Sequence, residues 1–198
     1  MRRRPGRCVV AIGLLLSAGA AARAQEGFEL PKPTDEHKLL RSEVGTWEAT
    51  IKSWMDPKAE PLESKGTETN RLLPGGLFII SQFRGDFGGQ PFHGHGTTGY
   101  DTHKKKYVGT WIDSMSTGIM AMEGTYDPAT KTLTMTGESR GPDGSLAQIK
   151  TEGVHKSADS RVFTMFMKPM GAPDWVKMME ISYKKVATPA AVKKAVKP

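Results

Sequence analysis

The chain has 198 residues, with 28 Lys+Arg against 21 Asp+Glu, a formal net charge of +7 and one cysteine. A lone Cys8 excludes an internal disulfide and a cysteine-built metal centre. Five of the 28 basic residues (Arg2, Arg3, Arg4, Arg7, Arg23) precede position 25 and five more (Lys184, Lys185, Lys193, Lys194, Lys197) follow Tyr183, leaving 18 against 21 acids between them. A body that is slightly acidic gives no footprint for nucleic acid.

In chain order, a basic start is followed by an apolar run over 8–16 and by Ala22-Arg23-Ala24. This is the arrangement of a secretory signal, with cleavage expected after Ala24. Spanning a bilayer takes about 18 apolar residues or more, so the run is too short for an anchor. Residues 1–24 are thus expected to be a signal peptide, and the protein to be exported, periplasmic or secreted. No transmembrane segment is expected in the mature chain.

Residues 25–44 predict an extended leader and a short helix. Thr34 or Asp35 can cap it, Leu39, Leu40 and Val44 supply its apolar face, and Gly45 stops it. Residues 45–186 then read as strand, turn, strand, with strands expected at 46–55, 62–73, 77–86, 92–100, 107–114, 118–126, 132–139, 146–155, 161–167 and 175–185. Alternation is plain in Thr132-Leu133-Thr134-Met135-Thr136, whose threonines share one face. Gly141-Pro142-Asp143-Gly144 spells a tight turn. Two further turns repeat one device, Tyr100-Asp101 with Lys105 and Tyr126-Asp127 with Lys131. Residues 187–198, of Ala, Lys, Val, Thr and Pro, have little to bury and are expected to be a disordered tail.

Ten short strands without crossover helices imply neighbouring antiparallel pairs. A meander this long curls and closes, which removes its two edges. The predicted fold is therefore all-β: a closed antiparallel up-and-down barrel of about ten strands, calycin- or lipocalin-like, with one short N-terminal helix. A two-sheet sandwich is the alternative. Such a barrel has room for a small ligand, with the helix plugging one end.

The candidate site residues follow from this. Phe92-His93-Gly94-His95-Gly96 places His93 and His95 on one face of a strand, the start of a two-histidine metal site or a haem ligand, with Asp113 or Glu123 as the acid that would complete it. Arg84, Asp113 and Glu123 could form a polar group inside the barrel. Met120, Met122, Met135 and Met165, from a later half rich in methionine, could line a cavity for apolar ligands. Trp111, with Trp47 and Trp175, is expected in the core or at a barrel end. Gly94-x-Gly96-x-x-Gly99 formally matches a dinucleotide fingerprint, but no helix follows it, so the glycines are expected to serve a bend or a close approach of strands. No nucleophile elbow, zinc-protease motif or phosphate loop occurs.

Several stretches resemble the uncharacterised bacterial family DUF1579: Gly89-Gln-Pro-Phe-His-Gly-His-Gly-Thr-Thr-Gly-Tyr-Asp101, Lys106-Tyr-Val-Gly-Thr-Trp-Ile-Asp-Ser114, Val44-Gly-Thr-Trp47, Glu123-Gly-Thr-Tyr-Asp127 and Lys177-Met-Met-Glu-Ile-Ser-Tyr183. The resemblance covers nearly the whole mature domain and implies a calycin-like barrel without implying an activity. Gly45-Thr-Trp47 is also similar to the Gly-x-Trp opening of lipocalins and nitrobindins; no motif around His155 matches a nitrobindin haem ligand. The leading functional expectation is a non-enzymatic barrel that binds a small, mainly apolar molecule. The alternatives are a metal- or haem-dependent enzyme using His93 and His95, and a structural or envelope-interaction protein with no ligand. The sequence names no cofactor and gives no oligomeric state.

Overall fold

Each strand is joined by a short turn to the one beside it, and the last returns to the first. The computed structural model describes residues 29–141 and 144–186; the expected signal (1–24), the start of the leader, Pro142 and Asp143 of the expected turn, and the expected tail (187–198) lie outside the described residues. The elements are α1 (His37–Ser42), β1 (Gly45–Ser53), β2 (Leu62–Leu72), β3 (Phe78–Phe87), β4 (Gln90–Asp101), β5 (Lys106–Asp113), β6 (Met120–Asp127), β7 (Thr132–Arg140), β8 (Leu146–Ser157), β9 (Ser160–Pro169) and β10 (Val176–Lys185). All ten strands lie where hydrophobic alternation and turn residues put them. β1 pairs with both β2 and β10, all pairs are antiparallel, and the sheet is a closed barrel rather than a sandwich.

Turn chemistry sets the registers. Gly88 and Gly89, with φ of 61° and 83°, make the two-residue turn between β3 and β4, the left-handed pair that matches strand twist. The repeated device works as its sequence implies. Asp101 accepts the backbone N–H of His103 and Lys104 at 2.8 and 3.0 Å, and Asp127 accepts that of Ala129 at 2.9 Å. Each loop ends on a lysine with positive φ, Lys105 at 53° and Lys131 at 55°.

Along β1, Trp47, Ala49, Ile51 and Ser53 point inward and are buried, and their register partners fix the inner face all round the barrel. Two core clusters result. One joins Trp47, Ala49, Ile51, Phe83, Ile181 and Tyr183; the other joins Leu40 of α1 to Ile79, Tyr107 and Met135. The second is the plug at one end. Its helix differs from expectation: Glu36 is the N-cap and its side chain caps no backbone N–H of the helix, while the Thr34 hydroxyl and amide contact the His37 ring nitrogen. His37, not Val44, completes the buried face with Leu40; Val44 is exposed. The Tyr107 hydroxyl ties α1 down by donating to the Glu36 carbonyl at 2.8 Å, and burial pushes its pKa up to about 12.

The glycines of β4 serve close approach. A Cβ on Gly94 would enter the Trp111 ring, and one on Gly96 would lie 3.2 Å from it; Gly99 seats Phe78 on the outer face in the same way. Gly66 and Gly85 make the equivalent bed for Phe83. The dinucleotide-like spacing is thus a stacking platform. Gly94→Val should cost about 1–3 kcal/mol through overpacking. Adding Trp111→Leu should recover part of it, read as a double-mutant cycle by denaturant unfolding; additive losses would refute the stacking account.

Candidate functional site

The inner face is packed unevenly. On β1, β3 and the ends nearest α1, inward side chains are buried: Trp47, Ile79, Phe83 and Tyr107 are 1–7 % exposed. On β6, β9 and β10 the inward Met120, Met122, Phe163, Met165, Met167 and Met179 all keep partial exposure, as do Phe92 and Trp111 across from them. The less tightly buried part of the interior therefore lies toward the end opposite α1, ringed by the 54–61, 114–119 and 170–175 loops, with Phe92, Trp111, Phe163 and Met179 packed against the Trp47 cluster. Exposed Met55, Met115, Ile119 and Met170 sit on these loops.

Its floor is polar. Arg161 at the start of β9 faces inward and is held between two carboxylates: Nη1 lies 3.0 Å from Glu43 Oε2 and Nη2 lies 2.5 Å from Glu68 Oε1. Its guanidinium stacks against the Tyr183 ring at 4.1 Å and the Trp47 ring at 4.7 Å. His155 Nε2 sits 2.9 Å from Glu43 Oε1, the Tyr183 hydroxyl donates to Glu68 Oε2 at 2.8 Å, and Asn70 Nδ2 donates to Glu68 Oε1 at 2.6 Å. Burial alone would raise the Glu43 carboxyl, but His155 and Arg161 together hold it below its ordinary 4.5. Burial opposes the charge on Arg161 too, yet Glu68 and Glu43 keep it more firmly protonated than usual. The Tyr183 phenol is pushed well up by burial and by Glu68.

The expected site residues divide between the two faces of the barrel. Trp111, Asp113, Met120, Met122, Met135 and Met165 face inward: Met135 is buried at the plug with Met122 packed against that cluster, Trp111 packs against the Trp47 cluster, and Asp113, Met120 and Met165 lie toward the end opposite α1. Asp113 stands at the mouth, accepting the Trp111 indole N–H at 3.0 Å and the Met115 amide at 2.9 Å. Arg84, His93, His95 and Glu123 face outward. His93 and His95 do share a face, but it is the solvated one, with Arg84 in register opposite His93. Glu123 is engaged outside by Lys104 and Lys106, which hold its carboxyl low, and Asp113 is on the other side of the sheet. The expected completion of a metal set is therefore corrected: a period of two sends His93 and Asp113 to opposite faces. Among the described residues no three His, Cys, Asp or Glu side chains converge as a metal site. The expected polar group of Arg84, Asp113 and Glu123 fails for the same reason, and Arg161, Glu43, Glu68, His155, Tyr183 and Asn70 form the interior one instead. A signal for it existed: Arg161 stands in phase with Phe163, Met165 and Met167, a charge on an apolar face.

Two open grooves also mark the outside, of about 650 Å³ over the outer face of β4–β7 and about 710 Å³ between α1 and the neighbouring turns. Both open broadly to solvent. Among the described residues no helix is long and apolar enough to cross a membrane.

The family model described as a protein of unknown function, DUF1579, matches residues 32–185, which is the whole barrel with its helix. The chain belongs to the DUF1579 family. No curated protein matches it. Among solved structures, this DUF1579 barrel is similar to Rv2717c from M. tuberculosis, at 12% identity over 78% of this chain and 99% of that one, with a TM-score of 0.57. It is also similar to the S-type phycobiliprotein lyase CPES from Guillardia theta, at 10% identity over 79% of this chain and 95% of that one, with a TM-score of 0.53. At such identities the likeness is one of fold.

Removing Arg161 would strand two buried carboxylates. Arg161→Met should cost about 3–5 kcal/mol, lowering the melting temperature by roughly 10 °C. A drop below about 2 °C would show that the network is not held as described. The lowered Glu43 value has a sign: the unfolded chain takes up its proton first, so the stabilisation is complete above about 4.5 and lost as pH falls below it. Glu43→Gln should flatten this acid limb in melting curves between pH 7 and 3.

Proposed function

We propose that this DUF1579 barrel is a binding protein that holds a small, mainly apolar molecule, outside the cytoplasm, in a hollow at the end of its interior opposite α1. The observation that carries the reading is the partial exposure of Phe163, Met165, Met167 and Met179, inward residues of a closed barrel. Their side chains suit the role. Methionine is unbranched and polarisable and adapts to varied apolar shapes, and Phe92 and Trp111 offer flat faces across from it. The mouth is ringed by loops, and the plug at α1 shuts the far end. The fold likeness to the phycobiliprotein lyase is compatible with this reading and supplies no ligand.

The test is displacement of a neutral fluorescent probe, N-phenylnaphthylamine, whose emission should rise on mixing with the purified protein and fall as apolar competitors are added. Met165→Trp, which fills the hollow from its wall, should weaken probe affinity at least about tenfold, roughly 1.4 kcal/mol, with the fold intact by circular dichroism. His93→Ala and His95→Ala, on the outer face, should leave the affinity unchanged. Equal binding by wild type and Met165→Trp would sink the interior site. The extracytoplasmic part of the reading rests on the first 24 residues. Cleavage should leave Gln25 as the N-terminal residue of protein recovered from its source, and an uncleaved chain would remove that part.

A further inference from the structure

We infer that Met165, Met167 and Met179 form a three-thioether site for copper(I), a further function that does not depend on the apolar binding proposed above. Strand register brings the three together. Met165 on β9 pairs directly with Met179 on β10, which sets their Cα atoms about 5 Å apart. Met167 stands two positions along β9, on the same inward face and about 7 Å away. Each side chain is unbranched with several rotatable bonds, so the sulfurs can close on one point from these origins. All three are partly buried rather than sealed in the core. Met178 is the extra residue of the β10 bulge, which releases this stretch from strict pairing.

The surroundings favour a soft cation. Thioether sulfur is a soft, neutral donor that selects copper(I) over the harder divalent metals. Residues 29–186 contain no cysteine, so the soft donors of the barrel are thioethers. Met55, Met115 and Met170 stand exposed on the loops that ring the same end, and methionine therefore runs from solvent into the interior. The inward carboxylate of Asp113 stands at the mouth, accepting the Met115 amide at 2.9 Å, and favours the approach of positive charge. Leucine would fill the same volume with better-defined rotamers. What methionine adds at these positions is sulfur.

The experiment titrates copper(I), kept reduced by excess ascorbate under nitrogen, into the full-length protein isotopically labelled at its methionine ε-methyl groups and followed by nuclear magnetic resonance. The signals of Met165, Met167 and Met179, assigned by leucine substitution, should move together and saturate at one equivalent. Met165→Leu and Met179→Leu keep the volume and remove the sulfur; each should weaken copper(I) binding at least about tenfold, with the circular dichroism spectrum unchanged. Should one of them fail to fold, the other and Met167→Leu decide. His93→Ala, on the outer face, should bind copper(I) as the wild type does. No saturable shift, shifts confined to the exposed Met55, Met115 and Met170, full affinity in the leucine variants, or loss of binding in His93→Ala overturns the site. Any of these leaves the apolar binding function to its own probe, and a probe that does not bind leaves the copper(I) result standing.

Discussion

The structure depends on Arg161. Its guanidinium reaches Glu43 at the junction of α1 and β1 and Glu68 on β2, and stacks on Trp47 of β1 and Tyr183 of β10. These elements meet where the barrel closes, because β1 and β10 are the first and last strands and pair only when everything between them is in place. Hairpins form from near neighbours, whereas this seam joins residues more than a hundred positions apart and carries the loop-closure entropy of the whole chain. A side chain that bonds both sides of the seam, and the plug as well, makes closure and capping one event.

From that seam the inner volume divides. Around β1 to β5, aromatic rings lie on glycine beds: Phe83 over Gly66 and Gly85, Trp111 over Gly94 and Gly96. A ring lying flat on backbone takes little depth and holds one position, so this side is a firm wall. Around β9 and β10 the inward residues are methionines and Phe163, and a bulge between Lys177 and Met179 shifts the register of the two strands. Unbranched side chains beside an irregular strand leave space that can be reshaped. A firm wall facing an adaptable one, over a charged floor, is the setting of the proposed binding hollow.

The period of two in hydrophobic residues, with the glycine and aspartate turns, makes the strands, their order and the closed barrel legible in the amino-acid sequence. The same period cannot say which face is inside where both faces are alike. On β4, Phe92, Gly94 and Gly96 alternate with His93 and His95; glycine gives no hydropathy contrast, and the histidines draw notice on what is the solvated side. On β2 the inward Glu68 and Asn70 stand among outward Thr67, Thr69 and Arg71, polar on both sides, so no contrast marks the floor. Register resolves it, because Glu68 pairs with Trp47 and Phe83, which are buried in the core. The helix departs from expectation for a related reason: His37 is polar by composition, but its ring is bonded to Thr34 and edge-on to Tyr100 at 6.0 Å, and so is buried where Val44 is not.

The charges inside are poorly explained by stability alone. Burying a network of two carboxylates, an arginine and a histidine costs desolvation that its attractions only about repay, and apolar residues of similar size would serve as well or better. What apolar residues cannot supply is a penalty for error. A slip of one residue between β9 and β10, or across the β1–β10 seam, would exchange the two faces of a strand. An apolar face turned outward loses some burial. An arginine turned outward leaves Glu43 and Glu68 inside without a counter-charge, which no repacking relieves. In a chain whose β9 is apolar on both faces, Val162, Thr164 and Phe166 against Phe163, Met165 and Met167, hydrophobicity barely distinguishes the two registers. Arg161 does, because it can meet Glu43 and Glu68 in one register alone.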